Sequence, residues 1–207
     1  MLNQVQHDEE NMTRNTAYAI LSKYLSNQNL LKHSLAAEAT MRALAKRLSA
    51  DTDEWGITGL LHDADYEKAK GHPEKHGLLL FELEPNSIPS NIQHAIESHN
   101  YEYTKVMPES KMDWAITCCD QLTGLIVAAA LIHPARNASQ GDAGGPDKKL
   151  ASLTPEFIMN RMKQKDFAKG AKREPIYLCE EKLGIPLNEF VEITLKAMQG
   201  ISDQLGL

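Results

Sequence analysis

Cysteine is scarce in this 207-residue chain: Cys118, Cys119 and Cys179 are the only three, and no CxxC spacing occurs. So small and odd a set excludes a disulfide framework and suits a reducing compartment. Long apolar runs are missing too. The longest strongly apolar stretch, Leu125 to Ile132, is far short of the roughly 20 residues a membrane span needs. The opening MLNQVQHDEE is polar and acidic, without the apolar segment of a secretory leader. A cytoplasmic protein with no membrane association is therefore expected. Positive charge is in deficit, with 22 Lys and Arg against 28 Asp and Glu and a net charge of −6. An acidic chain is a poor binder of nucleic-acid polymers or anionic membranes. No stretch alternates apolar and polar residues as a half-buried strand would. The Gly-rich segment near residue 140 lacks the Gly-Lys-Ser/Thr ending of a phosphate-binding loop.

What is present is helical periodicity, and the expected fold class is all-α. Residues 1–12 read as a flexible tail and 13–207 as a single domain. Tyr18, Leu21 and Leu25 fall at helical spacing. A second helix over about 29–48 presents Leu31, Leu35, Met41, Leu44, Ala45 and Leu48. A third starts at Asp51 or Thr52, both good N-caps, and runs through Trp55, Leu60 and Leu61 into His62–Asp63. A polar stretch with Gly71 and Pro73 follows, then a helix carrying His76, Leu80 and Leu83. Pro85 and Pro89 mark the next break, before a helix with Ile92, Ile96 and His99 and another from about Asp113 to Ile132. Residues 133–147 are rich in Pro, Gly, Ser and Asn and read as a flexible loop. Three C-terminal helices are expected at about 154–165, 173–183 and 186–205. The last has a clear core face through Leu187, Phe190, Val191, Thr194, Leu195 and Met198.

The chemistry lies in histidines and aspartates. Neighbouring residues on a helix point about 100° apart, so His62 and Asp63 converge on one ion only where their helix ends. The polar stretch after them supplies that ending. His99 shares a stripe with Ile92 and Ile96 and should face the core, whereas His94 points away. His76 shares a face with Leu80 and Leu83. Asp120 lies among apolar residues, where an unpaired carboxylate costs several kcal/mol and a cation removes the problem. His33 stands beside small Ala36 and Ala37, which allow close helix packing. Imidazole with carboxylate suits Mn, Fe, Zn or Co better than calcium. His7, His72, His94 and His133 read as tail, loop, outer face and helix end, and Cys118 and Cys119 as small core residues. The one basic segment, residues 148–173, is mostly a solvated face. Lys149 or Arg173 could hold a substrate phosphate there. Asp65 or Glu67 could accept a proton or orient a water, and Tyr66 could serve as lid or packing.

The order His33, His62–Asp63, Asp120, in the contexts LLKHSLAAEATM, GLLHDADYEK, HPEKHG, AIESHNYE and CDQLTGLIVAAALI, resembles the HD superfamily of metal-dependent phosphohydrolases. The C-terminal KKLASLT, FAKGAKRE and AMQGISDQLGL are similar to a bacterial subgroup of predicted HD hydrolases. The resemblance implies an HD-type helical bundle with a C-terminal helical extension. It implies that His33, His62, Asp63 and Asp120 bind one divalent transition metal. Two-metal members add two histidines between the HD pair and the last aspartate, and His76 and His99 occupy that interval, with Asp63 as the bridge. The implied activity is hydrolysis of a nucleotide or small phosphate ester by a metal-activated water. The Gly-Tyr-Pro motif of cyclic-dinucleotide phosphodiesterases is absent. The same family contains di-iron oxygenases and non-catalytic nucleotide-binding modules, and these remain the alternatives.

Overall fold

Side-chain caps start the helices that frame the molecule. Asn27 accepts from the amides of Asn29 and Leu30 to open α2 (Gln28–Leu48), and Asp51 accepts from Asp53 and Glu54 to open α3 (Thr52–Leu61). Before them, Thr13 caps α1 (Arg14–Tyr24). The structure, a computed structural model, describes residues 12–133 and 149–207. The expected tail at 1–12 thus falls outside the described residues except for Met12, and the expected loop at 133–147 except for His133. The chain continues through α4 (Leu79–Leu83), α5 (Ser90–His99), α6 (Tyr101–Thr104) and α7 (Lys111–Ile132). After a short 3-10 turn at Leu150–Ser152 come α8 (Pro155–Met162), α9 (Glu174–Tyr177), α10 (Cys179–Leu183), α11 (Leu187–Gln199) and α12 (Ser202–Leu205). No strand occurs among the described residues, so the fold is all-α as expected.

α2 packs along α3, and both α2 and α5 pack on α7, which also meets α9, α10 and α11. A Ser110–Asp113 capping box opens α7. Its buried residues include Ala115, Ile116, Leu122, Leu125 and Ile126. By length and composition α7 is long and apolar enough to cross a membrane, which corrects the expectation drawn from the shorter run Leu125–Ile132. Polar Thr117, Asp120, Gln121 and Thr123 interrupt the run without lowering its average much, and 61% of the apolar window is buried in the bundle. Cys118, Cys119 and Cys179 are buried and unpaired, in keeping with small core residues.

Three expected elements differ. His76 lies not on a helix but in turns spanning 62–78 that end at α4. Gly77, at φ +91°, breaks any helix there. Leu80 is buried while Leu83 is half-exposed, so the proposed shared face is only partly inward. The expected helix at 173–183 divides into α9 and α10, and the final helix into α11 and α12, separated near Gly200.

Glu38, almost fully buried on α2, shows how the first three helices are held together. It accepts from Arg14 of α1 at 2.6 and 2.8 Å and from Arg42 at 3.0 Å. Arg42 in turn reaches Asp53 on α3 at 2.7 Å. A buried carboxylate that lost these partners would cost about 3–5 kcal/mol.

Candidate metal centre

α3 ends at Leu61, which leaves His62 and Asp63 on the first of the turns. The main chain changes direction there, so adjacent side chains reach a common centre. His62 is fully buried; its Nδ1–H donates to the Gly59 carbonyl at 2.8 Å, which leaves Nε2 facing inward. α2 brings His33, whose Nε2 lies 3.3 Å from that of His62. α7 brings Asp120, whose Oδ1 is 2.8 Å from His33 Nε2 and 3.6 Å from His62 Nε2.

Asp63 stands between this group and a second one. Its Oδ2 is 3.5 Å from His33 Nε2, while its Oδ1 is 3.2 Å from His76 Nε2 and 3.8 Å from His99 Nε2. His76 and His99 approach each other Nε2 to Nε2 at 3.1 Å. Asn100, just past α5, donates to the carbonyls of Pro73 and His76 at 2.9 and 3.1 Å and so ties the turn to the helix end.

All four imidazoles are oriented the same way. The acceptors of the Nδ1 protons are the Gly59 carbonyl for His62, the Ile96 carbonyl for His99, the Asp65 carboxylate at 2.8 Å for His76, and Thr123 Oγ1 at 3.4 Å for His33. Thr123 spends its own proton on the Asp120 carbonyl, so it can only accept from His33. Four Nε2 atoms therefore converge on two carboxylates, the buried Asp63 and the partly buried Asp120. This is the second-sphere pattern that fixes the tautomer of metal-binding histidines.

The charges respond accordingly. Burial opposes protonation of His33, but the hydrogen bond to Asp120 and the charges of Asp120 and Asp63 outweigh it and hold the pKa up at about 9. At His76 burial is likewise outweighed, by Asp63 and Asp65, and the pKa is raised to about 10. Burial and the neighbouring imidazoles push His99 down to about 4. Asp63 and Asp120 lie well below the usual carboxylate range because the surrounding imidazoles outweigh the cost of burial. Repelled imidazoles packed against anionic oxygens are a donor set that a cation would neutralise. Two groups, His33–His62–Asp63 and Asp63–His76–His99, each place donor atoms within 4.8 Å of one another. Buried and half-buried His and Asp side chains here can thus hold a metal ion.

A cavity of about 510 Å³ opens over Asp63, His76, His99 and Asp120. Tyr66, Lys70, Asn100, Tyr103, Gln121 and Lys172 also line it. A smaller cavity of about 330 Å³ touches His33, Asp120, Gln121 and Gly170.

The structure brings His33, His62, Asp63, His76, His99 and Asp120 together, and places the other candidates elsewhere. Asp65 is 1% exposed and does not line the cavity: it accepts from His76 Nδ1–H and from the amides of Gly77 and Leu80, and so orients a histidine. Glu67 turns away to the amides of Ser26 and Asn27 before α2, which excludes it from the centre. Lys149 begins the 3-10 turn and lines neither cavity. Arg173 is spent on the carbonyls of Phe167, Ala168 and Ala171. His94 pairs with Asp113 at 2.9 Å, His72 with Glu74, and His133 with Ser152, all off the site. His7 lies outside the described residues. Tyr66 stands half-exposed at the cavity, edge-on to His76. Gln121, Asn100 and Thr123 were not singled out from sequence. Their only signal was adjacency to Asp120 and His99, or one helical turn in the case of Thr123.

No protein-family model, curated protein or solved structure matches this chain.

Proposed function

We propose that the chain is a metal-dependent phosphohydrolase of the HD superfamily acting on a nucleotide or small phosphate ester. The observation that carries this reading is the pair of three-donor groups sharing Asp63 beneath an open cavity. His33, His62 and Asp120 would hold one divalent transition metal, His76 and His99 a second, and Asp63 both. Such ions, when bound, make water acidic and neutralise charge on phosphoryl oxygens.

The protein's own contribution is orientation. Nδ1 hydrogen bonds aim the four Nε2 atoms, and Asp65 locks the turn that carries His76. The cavity volume lies within the roughly 300–1,000 Å³ range of small-molecule sites, which supports a small substrate over a polymer. The reading is tested by a panel of phosphate mono- and diesters, run with protein of measured metal content. Turnover that depends on metal supports it. Oxygen-dependent turnover by iron-loaded protein would favour the di-iron oxygenase instead, and nucleotide binding without turnover a non-catalytic module.

A further inference from the structure

We propose that Lys172 is the cation that grips the phosphoryl group of the substrate, on a loop braced by Arg173 and keyed to Asp120. This rests on the phosphohydrolase reading for the identity of the ligand, but its observations are separate.

Asp63, Asp120 and Glu102 line the cavity over the centre. With Asp63 and Asp120 engaged by metal, Glu102 is left facing an entering phosphate, and the phosphoryl oxygens that point away from the metals need a positive partner. Lys70 and Lys172 both line the cavity, and of the two it is Lys172 whose main-chain amide is hydrogen-bonded to Gln121 beside Asp120, whereas Arg173 has turned its guanidinium back on its own loop. That inward turn has a purpose in Lys172's position. Ala168, at φ +45°, is held in a left-handed conformation that an alanine adopts only under constraint. Arg173 supplies the constraint through Ala168 and its neighbours.

The loop is also registered against the centre. The Lys172 amide donates to Gln121 Oε1 at 2.9 Å, and Gln121 Nε2 donates to Asp120 Oδ2 at 2.6 Å. One side chain thus links the Lys172 main chain to a carboxylate of the centre. A cation so placed is preorganised, which spares the cost of ordering a long side chain's base on binding.

The Lys172 ammonium pairs with Glu102 of α6, and both side chains are about half-exposed, 48% each. A pair so open to water is weak. A phosphate dianion, with more charge and three acceptor oxygens, displaces the carboxylate. Glu102 therefore parks Lys172 at the cavity until substrate arrives.

The test is calorimetric binding of inorganic phosphate to the metal-loaded protein, alongside KM and kcat for whichever ester it hydrolyses. Lys172→Gln should weaken phosphate binding on the order of tenfold or more, as expected for loss of one charge-assisted partner. KM should rise more than kcat falls, with metal content and melting temperature unchanged. Glu102→Gln should tighten phosphate binding. Lys169→Gln, whose ammonium pairs with exposed Asp166, is the control and should change nothing. Unchanged phosphate affinity in Lys172→Gln, or no phosphate binding by the wild type, overturns the proposal. Hydrolysis unaffected by Lys172→Gln overturns it while leaving the phosphohydrolase reading intact. Lys172-dependent phosphate binding without hydrolysis does the reverse.

Discussion

The main-chain carbonyl of Ala37 lies 2.6 Å from where the first side-chain carbon would sit at Gly59. α2 and α3 can approach this closely only because residue 59 has no side chain. That approach carries His33 and His62 to within 3.3 Å of each other. Gly59→Ala should therefore push the helices apart, at a cost of about 1–3 kcal/mol. The thermal midpoint should fall, and metal content should fall with it. Ala37→Gly should not rescue the variant, because the obstacle is backbone. A Gly59→Ala protein with wild-type melting would refute the close-packing argument.

Protein prepared without chelator is expected to carry about one to two equivalents of a transition metal. Asp63→Ala should empty both positions, since both three-donor groups use this carboxylate. His94→Ala should leave the content unchanged, because His94 is bonded to Asp113 away from the centre. Metal analysis of the three proteins decides. Equal loss in both variants would mean the two faces of α5 are not distinguished as described.

His99→Ala should lower stoichiometry from about two to about one. Only the Asp63–His76–His99 group contains it, while His33, His62, Asp63 and Asp120 stay intact. Its side chain is 3% exposed, so a cavity cost of about 1–3 kcal/mol is also expected. Melting curves establish that the variant is folded before its metal is counted. Loss of both metals would show that the groups are not separable.

Asp65→Asn should resemble a partial loss of His76. The carboxylate accepts from His76 Nδ1 and two main-chain amides while buried. An amide keeps one good acceptor and introduces donors where only donors already point. A loss of about 1–3 kcal/mol in stability follows. Metal content should fall toward about one equivalent. If catalysis alone changed, with stability and metal intact, Asp65 would instead act directly on the reaction.

The three thiols should be silent in the native protein. Cys118, Cys119 and Cys179 are fully buried, and burial raises each pKa above the ordinary thiol value. A thiol reagent should label none of them under native conditions and all three in denaturant. Rapid native labelling at Cys179 would show that α10 opens readily.

Local pattern alone determined a good deal here. Period placed His99 on the buried stripe of α5 and His94 off it. A polar run with Gly71 and Pro73 marked the end of α3 at the one point where adjacent His62 and Asp63 can converge. Asp120 stood out because an apolar helix makes a lone carboxylate expensive. These conclusions needed only the geometry of one helix and the cost of burying charge. Tertiary structure decided what depends on distant segments meeting. His76 reaches its place through a turn, set by Gly77 and by Asp65 gripping two amides beyond it, and no helical period encodes that. Asp65 and Glu67 are two residues apart, yet one supports the centre and the other holds the amides of Ser26 and Asn27 ahead of α2. Among the cations of 148–173, only the packing of the 167–173 loop against α6 and α7 puts Lys172 on the cavity and turns Arg173 inward. An exposed charge carries no periodic signal of which wall it will face, so that choice is made when the chain closes on itself.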